Sequence, residues 1–92
     1  MQIKEGQQFA LLKLCQKFIK GRNGRLFLVG KILNKEIKSF EDLTIIDWQV
    51  IRNLAYENWT WTISIKFANL ANQLADEYEI SLGQGTMFKG VK

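Results

Sequence analysis

Apolar side chains recur at three- and four-residue intervals through most of the chain, which is the spacing of one face of an α-helix. The clearest stripe lies in the last third of the sequence and comprises Ile63, Phe67, Leu70, Leu74 and Tyr78. A second stripe near the start comprises Leu11, Leu14, Cys15, Phe18 and Ile19, widened by Phe9 and Leu12. The two patterns predict a first helix over residues 7–20 and a last helix over residues 60–79.

Residues 25–34 allow two interpretations, because the run Leu26-Phe27-Leu28-Val29 suits either a short buried strand or part of a helix. A lone strand has no pairing partner, and no second convincing strand follows. We therefore predict a helix over residues 25–34. Gly30 inside it costs about 1 kcal/mol of helix propensity, and it would let a neighbouring helix approach closely.

A third helix is predicted to begin at Thr44, after a polar connection over residues 35–43. Asp47 stands three residues after Thr44, as in a capping box with Asp in place of the usual Glu. Apolar residues then repeat at helical steps, namely Trp48, Ile51, Leu54 and Ala55. This helix should reach residue 57 or 58.

The sequence contains no proline, so glycine and capping residues must set the helix ends. Gly21 suits the end of the first helix, the triplet Arg22-Asn23-Gly24 suits a turn, and Gly83 and Gly85 suit the end of the last helix. We expect an all-α fold, a compact bundle of about four helices in one domain over residues 1–92. Residues 85–92 form a tail, either docked by Met87 and Phe88 or flexible.

Two counts restrict the chemistry of the chain: it has no histidine and one cysteine. Without histidine there is no imidazole base, no Ser-His or Cys-His pair and no histidine metal ligand. One cysteine excludes an internal disulfide and a cysteine-based zinc site, and its place on an apolar stripe predicts a buried, inert thiol. We expect no enzyme activity, no cofactor and no metal site.

The sequence also bears on location. The first eight residues are polar, and no apolar run approaches the roughly 18 residues of a membrane span. We expect a cytoplasmic protein with no membrane partner.

The net charge of +4 conceals an asymmetry between the two parts of the chain. Residues 1–38 carry nine cations and two carboxylates, a net charge of +7, whereas residues 39–92 carry four cations and seven carboxylates, a net charge of −3. Such a split indicates a polyanionic or acidic partner on one side, although an unevenly charged solvated surface would look the same.

A group of polar residues in the basic part is predicted to bind nucleic acid. Lys13, Lys17 and Lys20 fall on one face of the first predicted helix, over roughly 10 Å at 1.5 Å per residue, which suits contact with several phosphates of one strand. Arg22 and Arg25 continue the positive charge and can hold phosphates bidentately. The full predicted set is Lys13, Gln16, Lys17, Lys20, Arg22, Arg25, Lys31 and Lys35. A solvated lysine face and a plain helix–helix turn are the alternatives.

Residues in the acidic part are predicted to form a subunit interface. Trp59 and Trp61 lie away from the lysine face, which favours a place in the core or in a subunit interface, and aromatic side chains of this kind are enriched in contacts between proteins. Asp76, Glu77 and Glu79 form an acidic cluster near the end of the last predicted helix. An acidic end and a basic start favour head-to-tail stacking of copies.

In size, helical content and this charge layout, the chain resembles the small helical-bundle subunits of class 1 CRISPR (Cascade-like) effector complexes. The resemblance rests on Lys13, Lys17, Lys20, Arg22 and Arg25, opposed by the acidic cluster. It implies a non-catalytic subunit that supports guide RNA and target DNA, present in several copies beside other proteins of the complex. The nucleic acid would be a single strand or the guide–target duplex, contacted without base reading.

Two other classes of function stay open. One is a small DNA-binding regulator of phage or plasmid type, although the best-formed predicted helix has Arg52 as its only cation and the 35–43 connection is long for a helix-turn-helix. The other is a protein-only adaptor or inhibitor whose basic face meets an acidic protein.

Overall fold

Four α-helices follow one another in the computed structural model, which describes residues 1–58 and 60–91, with side chains for residues 1–58 and 60–82. They are α1 (Glu5–Gln16), α2 (Arg22–Leu33), α3 (Ile45–Ala55) and α4 (Ile65–Val91), with a 3-10 helix, Phe40–Asp42, before α3. The described residues contain no β-strand, only two isolated bridges. The all-α prediction is therefore confirmed, and residues 25–33 are helical rather than extended.

The core draws on every helix. Leu11 and Leu14 of α1, Leu28 of α2, Ile51 of α3 and Ala71 of α4 are almost completely buried. Helix α2 packs against α1, α3 and α4. The apolar stripes thus do what their helical spacing predicts, which is to bring one face of each helix into a shared interior.

The chain between α1 and α2 differs from the prediction. Helix α1 ends at Gln16, not at residue 20, and residues 17–21 form the connection. Ile19 belongs to the apolar stripe and is 5% exposed, but it reaches the core from this loop. Gly21, at φ +81°, precedes the first residue of α2, so the triplet at residues 22–24 is the first turn of α2 and not a linking turn.

Helix α2 ends in a reversal of the chain. Asn34 adopts the left-handed conformation at φ 58°, and the backbone N–H of Lys35 donates to the carbonyl of Gly30 at 2.9 Å, as in a Schellman motif. A Cβ on Gly30 would lie 2.8 Å from the Lys35 carbonyl oxygen. The close approach at Gly30 is therefore made by the chain that follows α2, and the predicted approach of a neighbouring helix is wrong. At Gly24 a Cβ would instead meet Ile19 at 2.9 Å and Tyr78 of α4 at 3.3 Å.

The predicted capping box of α3 is present. The backbone N–H of Asp47 donates to Thr44 Oγ1 at 3.1 Å, and the backbone N–H of Thr44 donates to Asp47 Oδ2 at 3.0 Å. The helix ends at Ala55, two residues before the predicted end. Residues 1–3 lie beside its start, where the N–H of Ile3 donates to the carbonyl of Leu43 at 3.0 Å.

Helix α4 begins later and ends later than predicted. Tyr56 and Ile63 form an antiparallel bridge that closes a turn, so the described residues between α3 and α4 are not helical. The hydroxyl of Ser64 then accepts from the N–H of Phe67 at 3.3 Å, which caps the helix at its start. The helix continues past Glu79 and through both glycines to Val91. The predicted docking of Met87 and Phe88 lies outside the residues whose side chains are described.

Candidate nucleic-acid interface

A groove runs between α1 and α2, with a volume of about 470 Å³; we call it the α1–α2 groove. Residues spaced three or four apart share one face of a helix, so α1 and α2 each line the groove with one face. The 3-10 helix region closes the groove. Its lining residues are Glu5, Gln8, Phe9, Leu12, Arg22, Arg25, Leu26, Ser39 and Phe40.

Two predicted site residues, Arg22 and Arg25, lie together in this groove. Arg22 is exposed, and its Nη2 donates to the carbonyl of Lys38 at 2.6 Å, which ties the start of α2 to the chain before the 3-10 helix. Arg25 is half-buried. Neither guanidinium forms a salt bridge within the described residues, and Glu5 is the one carboxylate in the lining. The groove is therefore predominantly cationic.

Lys13, Gln16, Lys17 and Lys20 are all exposed at the C-terminal end of α1 and in the following loop, and none of them lines the groove. Because α1 ends at Gln16, the predicted single helical face of three lysines is wrong: Lys13 stands on the helix, and Lys17 and Lys20 stand on its end and in the loop. The Lys13 ammonium lies 5.5 Å from the centre of the Phe9 ring. Cations at this end also complement the helix dipole of α1.

Lys31 and Lys35 lie apart from the other predicted cations. Both line a second groove of about 610 Å³, formed by α2, the reversal after it and Tyr78 of α4. The Lys31 ammonium lies 5.4 Å from the centre of the Phe27 ring. The Lys35 ammonium pairs with Asp47 at 2.7 Å, in the one salt bridge among residues whose side chains are described. These two lysines do not extend the surface formed by Arg22 and Arg25.

The apolar floor of the α1–α2 groove escaped the sequence analysis. It consists of Phe9, Leu12, Leu26 and Phe40. Phe9 was expected on the core stripe, yet it is 59% exposed. At 100° per residue, Phe9 lies about 160° around the helix from Leu11, and this angle is the signal that could have identified it as a surface residue.

The predicted interface residues occupy two separate places. Trp61 is 65% exposed, and it packs edge-on against Tyr56 with ring centres 5.0 Å apart while the Arg52 guanidinium lies 4.5 Å from its ring centre. Trp59 lies outside the described residues.

Asp76, Glu77 and Glu79 are exposed on α4 around Tyr78, whose ring packs against Phe27 of α2 at 5.3 Å between centres. The acidic cluster therefore lies beside α2 rather than at the far end of the molecule from it.

Two ionisable side chains have shifted pKa values that bear on chemistry. Burial raises the pKa of Cys15 to about 12, against a smaller lowering effect of the Arg25 charge, so the thiol stays protonated at neutral pH. Burial opposes ionisation of Asp47, but hydrogen bonds from Lys35 and Thr44 outweigh it and lower the pKa of the carboxyl below its ordinary 3.8.

No group of three or more acidic or cysteine side chains among the described residues is placed to hold a metal ion. Among the same residues, no helix combines the length and the apolar character needed to cross a bilayer.

Comparisons with protein-family models, with curated proteins and with solved structures find no match to this chain.

Proposed function

We propose that the chain is a non-catalytic protein that binds the phosphate backbone of nucleic acid without reading base sequence. The observation that supports this most strongly is a group of five cations within residues 13–25, four exposed and one half-buried, which we call the basic surface: Lys13, Lys17, Lys20, Arg22 and Arg25. No carboxylate lies between them in the sequence. None of the five has a carboxylate oxygen within 4.0 Å among the described side chains.

The arginines and the lysines of the basic surface suit different parts of one contact with a nucleic-acid backbone. The two arginines stand on successive turns of one helix face, and each planar guanidinium can hold a phosphate through two hydrogen bonds. The three lysines are exposed point charges that can follow a strand without fixed geometry. Such contacts position a nucleic acid and carry no sequence information.

A narrower form of the proposal makes the chain a small subunit of a ribonucleoprotein complex of the CRISPR type, present in several copies. It is supported by the resemblance in size, helical content and charge. It is also supported by the exposure of the acidic cluster on α4, which offers opposite charge to the basic surface of another copy. Co-purification from the native host, with identification of the bound proteins and nucleic acid, tests this form directly.

Salt-dependent binding tests the broader proposal. Fluorescence anisotropy with two labelled single strands of unrelated sequence, between 50 and 200 mM salt, should give equal dissociation constants. Five phosphate contacts predict a log–log salt slope of about −3.5. The triple variant Lys13→Gln, Lys17→Gln, Lys20→Gln should reduce the slope by about 2. Lys66→Gln, which removes an exposed lysine from the start of α4, is the control and should leave the slope unchanged.

Two results would overturn backbone binding. A strong preference for one duplex sequence would favour the small DNA-binding regulator. No binding to RNA or DNA at low salt would leave the protein-only adaptor or inhibitor.

A further inference from the structure

The α1–α2 groove combines two surfaces that a purely electrostatic binder does not need. Its floor carries two aromatic rings, Phe9 and Phe40, with Leu12 and Leu26 beside them. Arg22 and Arg25 line the same groove. An aromatic floor beside cations is the arrangement by which proteins stack unpaired bases while holding the backbone.

Phe9 is the feature that most needs an explanation. Its ring sits on the solvent side of α1 at 59% exposure, although the helix already buries Leu11, Leu14 and Cys15. The Lys13 ammonium lies over the ring at 5.5 Å from its centre, which brings a phosphate-binding charge next to an exposed aromatic side chain.

The segment that carries Phe40 is held in place by local hydrogen bonds. Asp42 Oδ2 accepts from the backbone N–H groups of Lys38 and Ser39, each at 3.1 Å, and so fixes the turn that carries Phe40. Arg22 donates to the Lys38 carbonyl of the same turn. Phe40 itself is half-buried. The groove is therefore formed before any ligand arrives.

We propose that the α1–α2 groove takes an unstacked base of single-stranded nucleic acid, with Phe9 stacking on the base and Arg22 and Arg25 holding the adjoining phosphates. This inference rests on the proposed backbone binding and names the form of nucleic acid that is bound. A volume of about 470 Å³ lies within the range of small-ligand sites. Duplex bases are paired and stacked, and extruding one costs a few kcal/mol, so the groove favours single strands over duplexes.

An abasic strand separates this inference from the proposed function. Anisotropy is measured with a labelled oligothymidylate and with a strand of equal length that is abasic throughout. The thymidylate should bind about 5- to 160-fold more tightly, since stacking contributes about 1–3 kcal/mol per base. Phe9→Leu should remove most of that advantage and leave the abasic affinity unchanged. Trp61→Leu, which removes an exposed aromatic ring elsewhere, is the matched control and should change neither.

The outcomes distinguish the two proposals. Equal binding of the two strands to the unaltered protein, or loss of thymidylate binding in Trp61→Leu alone, overturns the stacking groove and leaves backbone binding in place. Failure of both strands to bind at low salt overturns backbone binding itself.

Ultraviolet cross-linking of the unaltered protein to oligothymidylate gives a measurement that does not depend on any variant folding. After tryptic digestion, the cross-link should map to the peptide of residues 5–13, which contains Phe9. Cross-links confined to the peptide of residues 53–66, which contains Trp61, would contradict the proposed site.

Discussion

One carboxylate oxygen, Oδ2 of Asp47, accepts two hydrogen bonds that connect separate parts of the fold. The backbone N–H of Thr44 donates to it at 3.0 Å, and the Lys35 ammonium donates to it at 2.7 Å. The first bond caps α3 and the second joins the chain after α2 to that cap. Both favour the ionised form and lower the pKa of the carboxyl in the folded state, against the opposing effect of burial.

Asp47→Asn should therefore destabilise the protein in a pH-dependent way. At pH 7 the loss should be roughly 1 kcal/mol, as expected for a helix cap with a partly exposed ion pair. A folded-state pKa below the unfolded value gives stability that is present above about pH 3.8 and is lost as the pH falls through the folded-state pKa. Urea denaturation at pH 7 and pH 3 should show a smaller difference in the free energy of unfolding between the two proteins at pH 3. An equal difference at both pH values would contradict this account. Glu57→Gln, which removes an exposed carboxylate just after the C-terminal end of α3, serves as the control.

At the scale of the elements, α2 is approached closely by the chain after it, which folds back onto Gly30. A Cβ there would stand 2.8 Å from the Lys35 carbonyl oxygen, well inside ordinary contact of 3.4–4 Å. Gly30→Ala gains about 1 kcal/mol of helix propensity, but the clash is with backbone and cannot be relieved by turning a side chain. We expect a net loss of about 1–3 kcal/mol in the free energy of unfolding.

Gly6→Ala provides the matched comparison for Gly30→Ala. Gly6 also lies in a helix, α1, but a Cβ there would meet nothing within 4 Å. This variant should gain up to about 1 kcal/mol. Urea denaturation followed by circular dichroism measures the free energy of unfolding of both variants. If Gly30→Ala were more stable than the unaltered protein, the chain after α2 would have to move away from residue 30 at little cost.

The helices themselves could be predicted from sequence, but their ends could not. Periodicity predicted three of them, the lack of a pairing strand decided residues 25–34 in favour of a helix, and the Thr44–Asp47 pattern located the start of α3 within one residue. The end of α1 was missed because Ile19 keeps the apolar spacing while reaching the core from a loop. The start of α4 was missed because the bridge between Tyr56 and Ile63 is a contact across a turn, which helical periodicity does not report.

The candidate site was predictable in part for similar reasons. Arg22 and Arg25 were both predicted site residues and line one groove, but they share a helix face only because α2 begins at Arg22, whereas the sequence placed Arg22 in a turn. Lys31 is nine residues from Arg22, or about half a turn around the helix axis, which accounts for its place in the other groove. Phe40 joins the floor through contacts between distant segments, which no local pattern encodes.

At the scale of the whole molecule, positive charge is concentrated and largely unneutralised. One salt bridge is present among the described side chains, while the basic surface carries five cations over 13 residues. Like charges held this close repel each other in the folded state, and added salt screens that repulsion.

Raising the salt concentration from 50 to 300 mM should therefore raise the melting temperature. A gain of about 0.5 kcal/mol corresponds to roughly 2–4 °C for a chain of this size. The triple lysine-to-glutamine variant should show a smaller rise, because three of the repelling charges are gone. Differential scanning calorimetry at matched pH measures the melting temperatures of both proteins. The same rise in the two proteins would show that the salt effect does not come from repulsion among the three lysines.

The burial of Cys15 has a practical consequence. Cys15 carries the only thiol in the chain. The residue is 1% exposed, and its thiol stays protonated at neutral pH. A thiol-specific reagent can reach it only when the surrounding helices open, so the labelling rate counts openings of the native protein. Every variant described above keeps this residue. Their labelling half-times in plain buffer therefore rank the stabilities of the variants on one scale without denaturant. If a bound strand of nucleic acid keeps the helices closed, it should lengthen the same half-times.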